Sequence, residues 1–367
     1  MSDAIVVFGA SGSVGRACVK SLIRQGIEVI ATGRCLSHLH TLFASFSPSL
    51  LRLCEIDLLA ESPWPKEIYT SRCFIQCAGP SYLLSDKVIA KLLTQCTHPG
   101  VLIEIGGNAS ILARWHTRLL QAGWLGLVGV GVQPGLVGII LHALSSHFTY
   151  NKALHVTAFT GGLQPLTPAG LTEYLQAINE RTGHPGLRLY HGRFQRVNHA
   201  KPLLPDCFPQ NSFMHPFLDE EAVLAAQVLN FLSLSSFNIT ASEEITHLLN
   251  KIMVLGKVPE NTCQKIAAAL TDQTPWFCLY AEAYEDTKPN QGQCTYLTCS
   301  DSYAVTGEVA AWAALHLAYG EKKGGFWFSS YPKAVSIWSD WNAYPPPGVK
   351  IIRRPLLSPP TYEEGEL

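Results

Sequence analysis

The sequence predicts an α/β protein: a Rossmann-type doubly wound parallel sheet with an inserted α/β domain that carries an open mixed sheet. Three observations lead there. Residues 4–8 form an apolar β-type run, followed at once by Gly9, Gly12 and Gly15 and then by apolar positions Val14, Ala17, Cys18 and Leu22 at helical spacing. Short apolar runs then alternate with amphipathic stretches over residues 1–130, the order that wraps helices around a parallel sheet. The middle of the chain changes character, with strand-like "ALHVTAFTGG" and "LRLYHGRF" set among helices opened by acids, "DEEAVLAAQVLNFL" and "SEEITHLLNKIM".

A chain of 367 residues with 47% hydrophobic content and a formal net charge of −1 has the material for two interdependent domains. Its basic residues are dispersed, which leaves no footprint for a nucleic-acid backbone. The longest apolar region, residues 124–144, is interrupted by glycines and Pro134, so no membrane span is expected. The start "MSDAIVVFGA" carries Asp3 and enters a strand directly, unlike a signal peptide, and the eleven cysteines lie at irregular spacing. A cytoplasmic protein with reduced thiols is expected. Cys35, His38 and His40 cluster without a second ligand pair nearby, so no metal is expected.

The glycine turn has a mechanical purpose. The chain must turn sharply, bring its backbone close to a pyrophosphate, and pack the following helix on the sheet, so that N–H groups at the helix start receive negative charge. Gly9, Ser11, Gly12, Ser13, Val14 and Gly15 are the expected cradle. Gly26 stops the helix and residues 27–31 make the next strand. A fold selecting NAD usually ends that strand on Asp or Glu, for the ribose 2′-hydroxyl. Here stand Thr32, Gly33 and Arg34, with no carboxylate between Glu28 and Glu55. A guanidinium clamps a 2′-phosphate with charge-assisted bonds, so the expected cofactor is NADP(H), with Ser37 and His38 as further contacts.

The strand in "LLRLCEIDLL" brings Asp57 to the adenine edge, and "CFIQCAGP" closes on the small-residue turn Ala78, Gly79 and Pro80, against which the nicotinamide half lies. Ser85 is the expected N-cap of the helix in "SDKVIAKLLTQC". "GVLIEIGGN" is a further strand. Gln133, Pro134 and Gly135 are expected to form a hinge whose backbone reaches the nicotinamide amide. "PWFCLYAEAYED" and "CTYLTCSD" predict a hairpin around "TKPNQGQ". The last stretch, "AYPPPGVKIIRRPLLSPPTYEEGEL", predicts an extended arm or partly disordered tail.

Taken together, "VVFGASGSVGRACV", "ATGR", "CAGP" with "VIAKLLTQC", "VLIEIGGN", "GVGVQPGLVG" and the late "YAVTGEVAAWAALHLAYG" resemble the saccharopine dehydrogenase (saccharopine reductase)-like superfamily. The resemblance brackets most of the chain, with few motifs in the middle third. It implies a Rossmann domain over residues 1–130, a substrate and dimerisation α/β domain over 131–305, a helix returning to the nucleotide domain over 306–340 and a Pro-rich tail over 341–367. It also implies a homodimer and hydride transfer at an imine carbon. The family commonly shows Asp where this chain has Glu104, and an acid where it has Asn108. Within the superfamily the chain is similar to stand-alone thiazolinyl imine reductases, which act in siderophore assembly on substrates tethered to a peptide synthetase.

Reduction of C=N needs a hydride on carbon and a proton on nitrogen, so an acid must stand nearby. Tyr82, just after the small-residue turn, Glu104 and His98 are the candidates, each with a structural alternative: a packing aromatic, a member of a hydrogen-bond network, and a loop residue. Two enzymatic rivals remain. A short-chain dehydrogenase needs Tyr-x-x-x-Lys on a helix, and the match Tyr284 to Lys288 falls in a turn. An opine- or saccharopine-type enzyme needs arginines for two carboxylates, for which Arg188, Arg193, Arg196 and Lys201 are the local cluster; that cluster also suits a carrier's phosphopantetheine arm or a solvated face. A non-catalytic NADP-binding scaffold is the third reading.

Overall fold

The structure is a computed structural model that describes residues 2–149, 153–197, 201–271, 273–319, 325–328, 349–356 and 362–363. The chain begins β1 (Ser2–Phe8), α1 (Ser13–Arg24), β2 (Val29–Gly33), α2 (Leu36–Leu42), β3 (Leu51–Glu55), α3 (Lys66–Thr70), β4 (Ser71–Gln76), α4 (Ser81–Gln95), β5 (Val101–Glu104), α5 (Ala109–Gln121) and β6 (Leu125–Val128). It continues α6 (Leu136–Ser145), β7 (Leu154–Leu163), α7 (Pro168–Asn179), β8 (His184–Pro185), β9 (Leu187–Tyr190), β10 (Arg193–Arg196), β11 (Lys201–Pro202), β12 (Phe213–Leu218), α8 (Glu220–Leu229) and β13 (Ser233–Thr240). Then come α9 (Glu243–Leu255), α10 (Thr262–Ala269), β14 (Trp276–Glu285), β15 (Lys288–Cys299), α11 (Ser302–Tyr319), β16 (Gly325–Phe328), β17 (Lys350–Pro355) and β18 (Tyr362–Glu363). Contacts divide the chain into two units, Met1–Leu136 with Ser302–Ser339, and Val137–Asp301 with Asp340–Leu367.

The first unit is built on a parallel sheet in the order β16-β6-β5-β4-β1-β2-β3. The inner strands read as continuous apolar runs because helices cover both of their faces; Ile5, Val6, Val7 and Phe8 are all buried. The chain runs outward from β1 to β3 and then crosses to β4 on the other side of β1. Strand order therefore reverses between β1 and β4, the place where open sheets of this kind leave a crevice at the strands' carboxyl ends. Helix α11 lies directly on α1: a Cβ on Gly307 would stand 2.6 Å from the Ala17 Cβ, and the Glu308 carboxylate accepts from Ser21 and Arg24.

The second unit holds a mixed sheet centred on β7, which runs parallel to β13 and antiparallel to β14. Its path is β10-β9-β13-β7-β14-β15-β17, and β12 pairs with β13 beside β9. Helices α7, α9 and α10 pack around Leu171, Leu175, Ile245, Ile252 and Ile266. A second cluster gathers Phe159, Phe208, Phe237, Ile239, Cys278, Tyr280 and Cys294. Beside it the Tyr280 hydroxyl donates to the buried Glu282 carboxylate at 2.8 Å, and desolvation pushes both groups above their ordinary ranges.

Three local expectations are corrected. Ser85 is not a cap: α4 begins at Ser81 after Pro80, and Ser85 lies buried within it. The β14–β15 turn is confined to Asp286 and Thr287, and "KPNQGQ" belongs to β15. Within the Pro-rich stretch, β17 is extended as expected and pairs with β15, at the edge of the sheet among the described residues; most of the remaining tail lies outside them. The basic cluster is not one surface. Arg188 and Arg193 share a face of the β9–β10 hairpin while Arg196 points to the other, and the Lys201 side chain lies outside the described set. Tyr284 and Lys288 flank the hairpin turn and share no helix. Among the described residues no helix is long and apolar enough to cross a membrane, and no group of His, Cys, Asp and Glu is placed to hold a metal.

Candidate active site

The site is assembled from the loops that leave the strands at the carboxyl edge of the parallel sheet. After β1 the chain turns on Gly9, at φ 71°. A Cβ there would lie 2.6 Å from the Ala78 backbone, so the exits of β1 and β4 touch. A Cβ on Gly15 would lie 2.2 Å from the Gly9 carbonyl oxygen, which is how closely α1 is drawn against the turn. Gly12 is different. It is exposed, and a Cβ there would meet only the Gly9 oxygen at an ordinary 3.4 Å, so the space beside it is open.

Gly12 is also the N-cap of α1. No side chain caps this helix, and its first turn carries no acid. The backbone around Ser11, Ser13 and Val14 thus presents the positive end of a twelve-residue helix to whatever lies above Gly12. These features fit the pyrophosphate of a dinucleotide.

After β2, Arg34 is exposed and leads into α2. The neighbouring acid missing from the local sequence arrives from β3. Gly33 pairs with Glu55, and the Glu55 carboxylate accepts the Leu36 N–H at 2.9 Å. The exposed Cys35 thiol is held below its ordinary range, first by its hydrogen bond with the Ser37 hydroxyl, while the charge of Glu55 opposes that shift. Asp57, exposed after β3, turns one carboxylate oxygen back to the Leu59 N–H at 2.9 Å.

After β4, the buried Gln76 fixes the small-residue turn through its side-chain oxygen, which accepts from the Ala78 N–H at 3.3 Å. Gly79 and Pro80 are joined by a cis peptide bond, and Tyr82 lies in the first turn of α4, half-buried. Cys77 lies beside Cys18 and Glu104, and desolvation drives its thiol well above the ordinary range.

Glu104 is the last residue of β5, 1% exposed and paired in register with Gln76. The turn beyond it is pinned by the Gly107 N–H, which donates to the Ser81 hydroxyl at 3.2 Å. Asn108, where the resembling family commonly has an acid, uses its side-chain oxygen to cap α5 at Ser110 and Ile111. After β6 the loop bonds its Val132 N–H to the Thr306 hydroxyl of α11, and the exposed Gln133 precedes a cis bond to Pro134.

Thus the first unit brings Gly9, Ser11, Gly12, Ser13, Val14, Gly15, Arg34, Asp57, Ala78, Gly79, Pro80, Tyr82, Glu104 and Gln133 to one edge. His98 is not among them. It precedes β5 and so lies at the opposite edge, about 13 Å away at the rise of a four-residue strand. Glu55, Ser81 and Thr306 were missed in the sequence. A strand-end acid in "LRLCEI" was the available signal for Glu55; the other two depend on tertiary contacts.

No family model matches this sequence, and no curated protein matches it either. Among solved structures, saccharopine dehydrogenase (L-Glu forming) from Saccharomyces cerevisiae is similar over 97% of this chain and 100% of its own, with a TM-score of 0.71 and 13% identity. The fold is the saccharopine dehydrogenase fold. A probable dehydrogenase from Thermotoga maritima aligns over 77% of this chain and 73% of its own, at 9% identity. Its TM-score of 0.40 is too low to add to that assignment.

Proposed function

We propose that the protein is an NADPH-dependent imine reductase, and that its substrate is a thiazoline reduced to a thiazolidine during nonribosomal assembly of a siderophore. The observation that carries the cofactor half is the uncapped, glycine-opened start of α1 at the strand-order reversal. Gly9 to Gly15 would hold the pyrophosphate, Arg34 the 2′-phosphate and Asp57 the adenine edge. Ala78, Gly79, Pro80 and Gln133 would border the nicotinamide. When bound, NADPH supplies a hydride.

The chain's own part is to orient the C=N group, exclude water and deliver a proton to nitrogen. Tyr82 and Glu104 stand at the exits of adjacent strands, and one of them is the proton donor proposed for the developing amine. Presentation of the substrate on a peptide-synthetase carrier domain, a homodimeric assembly and a cytoplasmic location belong to the same proposal.

A saccharopine- or opine-type dehydrogenase is the second reading, favoured by the whole-chain likeness to an enzyme named saccharopine dehydrogenase. Against it stands the division of Arg188, Arg193 and Arg196 between two faces of a hairpin, where two carboxylates would want converging cations.

NADPH consumption by purified protein separates the two. The expected result is turnover of thiazoline intermediates, free or carrier-bound, with kcat reduced about 10²-fold or more in Tyr82→Phe or Glu104→Gln, whichever donates the proton. Turnover of amino acid and keto acid pairs instead would establish the second reading. NADPH binding with no turnover of either set would leave a nucleotide-binding scaffold.

A further inference from the structure

We propose that Glu55 is a cofactor-specificity residue: its carboxylate opposes Arg34 and sets how far the site prefers a 2′-phosphate over a 2′-hydroxyl. The inference rests on the reading that this edge binds a nicotinamide dinucleotide. Sequence distance hides the pairing, because Glu55 lies twenty-one positions beyond Arg34. The β2–β3 register removes that distance. Gly33 stands opposite Glu55, the Ile56 N–H donates to the Gly33 carbonyl at 2.8 Å, and Glu55 accepts the Leu36 N–H at 2.9 Å.

The acid is therefore fixed against the very loop that carries Arg34, and its field is felt there, since it raises the Cys35 thiol against the hydrogen bonds that lower it. The titratable side chains of α2, His38 and His40, are exposed and add no second carboxylate. A 2′-phosphate brings close to two negative charges to this loop. A 2′-hydroxyl brings none, and can donate a hydrogen bond to a carboxylate. Glu55 thus penalises NADP(H) and tolerates or assists NAD(H), leaving Arg34 to supply a preference that the acid reduces.

The test is titration with NADPH, NADH, 2′,5′-ADP and 5′-AMP, the last two isolating the adenosine end. Glu55→Gln is the informative variant, since it keeps an acceptor for Leu36 and nearly the same volume while removing the charge. The expected result is NADPH and 2′,5′-ADP binding about threefold to fivefold tighter at low salt, with 5′-AMP unchanged or weaker, for two charges acting through a largely aqueous dielectric. The gain should shrink at high ionic strength. Glu55→Lys extends the series, with the NADPH to NADH preference rising in the order Glu, Gln, Lys.

A preference unchanged within about twofold in Glu55→Gln at low salt, where screening is weakest, overturns the inference, as does an equal change for all four ligands, which marks only the placement of α2. Failure of the wild-type protein to bind any of the four overturns the nucleotide reading itself, and the inference with it.

Discussion

Both units send a parallel strand out through glycines into a helix, and they use the glycines for opposite ends. In the first unit β1 leaves through Gly9 and Gly12, and α1 starts at once with no side chain over its first turn. In the second, β7 ends on Gly161, Gly162 and Leu163, and "FTGG" reads at first glance much like "FGASG". There both glycines are closed in, as Gly9 and Gly15 are in the first unit, and neither stands open like Gly12. A Cβ on Gly162 would lie 2.1 Å from the Trp276 carbonyl oxygen, and one on Gly161 2.0 Å from that of Ile239. Moreover α7 begins with Thr167, whose hydroxyl accepts the Gly170 N–H at 3.0 Å, and with Pro168, which has no N–H to leave over. One exit leaves a helix start open, and the other is a tight joint between neighbouring strands. The glycines alone do not distinguish them; the helix start does.

The sharpest way to break this contrast is to put side chains at the two exits. Gly12→Val occupies space that is open in the fold, at a backbone φ of −73° that valine tolerates. It should weaken NADPH binding by at least about 100-fold, the loss of the approach that phosphate-loop glycines provide, while leaving the melting temperature within a degree or so. Gly162→Ala should do the reverse. Overpacking against Trp276 is expected to cost about 1–3 kcal/mol, seen as a melting temperature lowered by roughly 3–8 °C, with the Kd for NADPH of the folded protein unchanged. Calorimetry and nucleotide titration on the same two samples read both effects.

A smaller effect sharpens the contrast on the side of charge. The first unit leaves its charged Arg34 in water, whereas the second buries Glu282 beneath the Tyr280 hydroxyl. Burial raises the Glu282 carboxyl in the folded chain, so folding favours its protonated form. The stability from this group is complete below the ordinary carboxylate range and is lost as pH rises through its raised value. Glu282→Gln keeps an acceptor for Tyr280 and cannot ionise. Thermal melts should therefore show it matching wild type near pH 4 and exceeding it by about 2 °C at pH 8.

Much of the first unit was legible because its signals are local. The glycine spacing, the apolar run before it and the cation after β2 lie within thirty-four residues of the start of the sequence. What escaped was whatever depends on direction or pairing. His98 is close to β5 in sequence, but a parallel strand's first residue lies at the edge away from the site, so nearness to the strand is not nearness to its end. Glu55 escaped because a register, not a spacing, brings it to α2. The start of α4 was misread at Ser85 although Pro80, which suits a helix's beginning, stood before Ser81. In the second unit, the arginines looked like one cluster until alternation along β10 divided them.

The central claim is that the open helix start at Gly12 holds a nicotinamide dinucleotide. Its most direct test is fluorescence titration of wild-type protein and Gly12→Val with NADPH. Saturable binding by the wild type, lost in the variant while its melting temperature holds, is the expected result. Absence of NADPH binding by the wild type, or equal binding by both proteins, would contradict it.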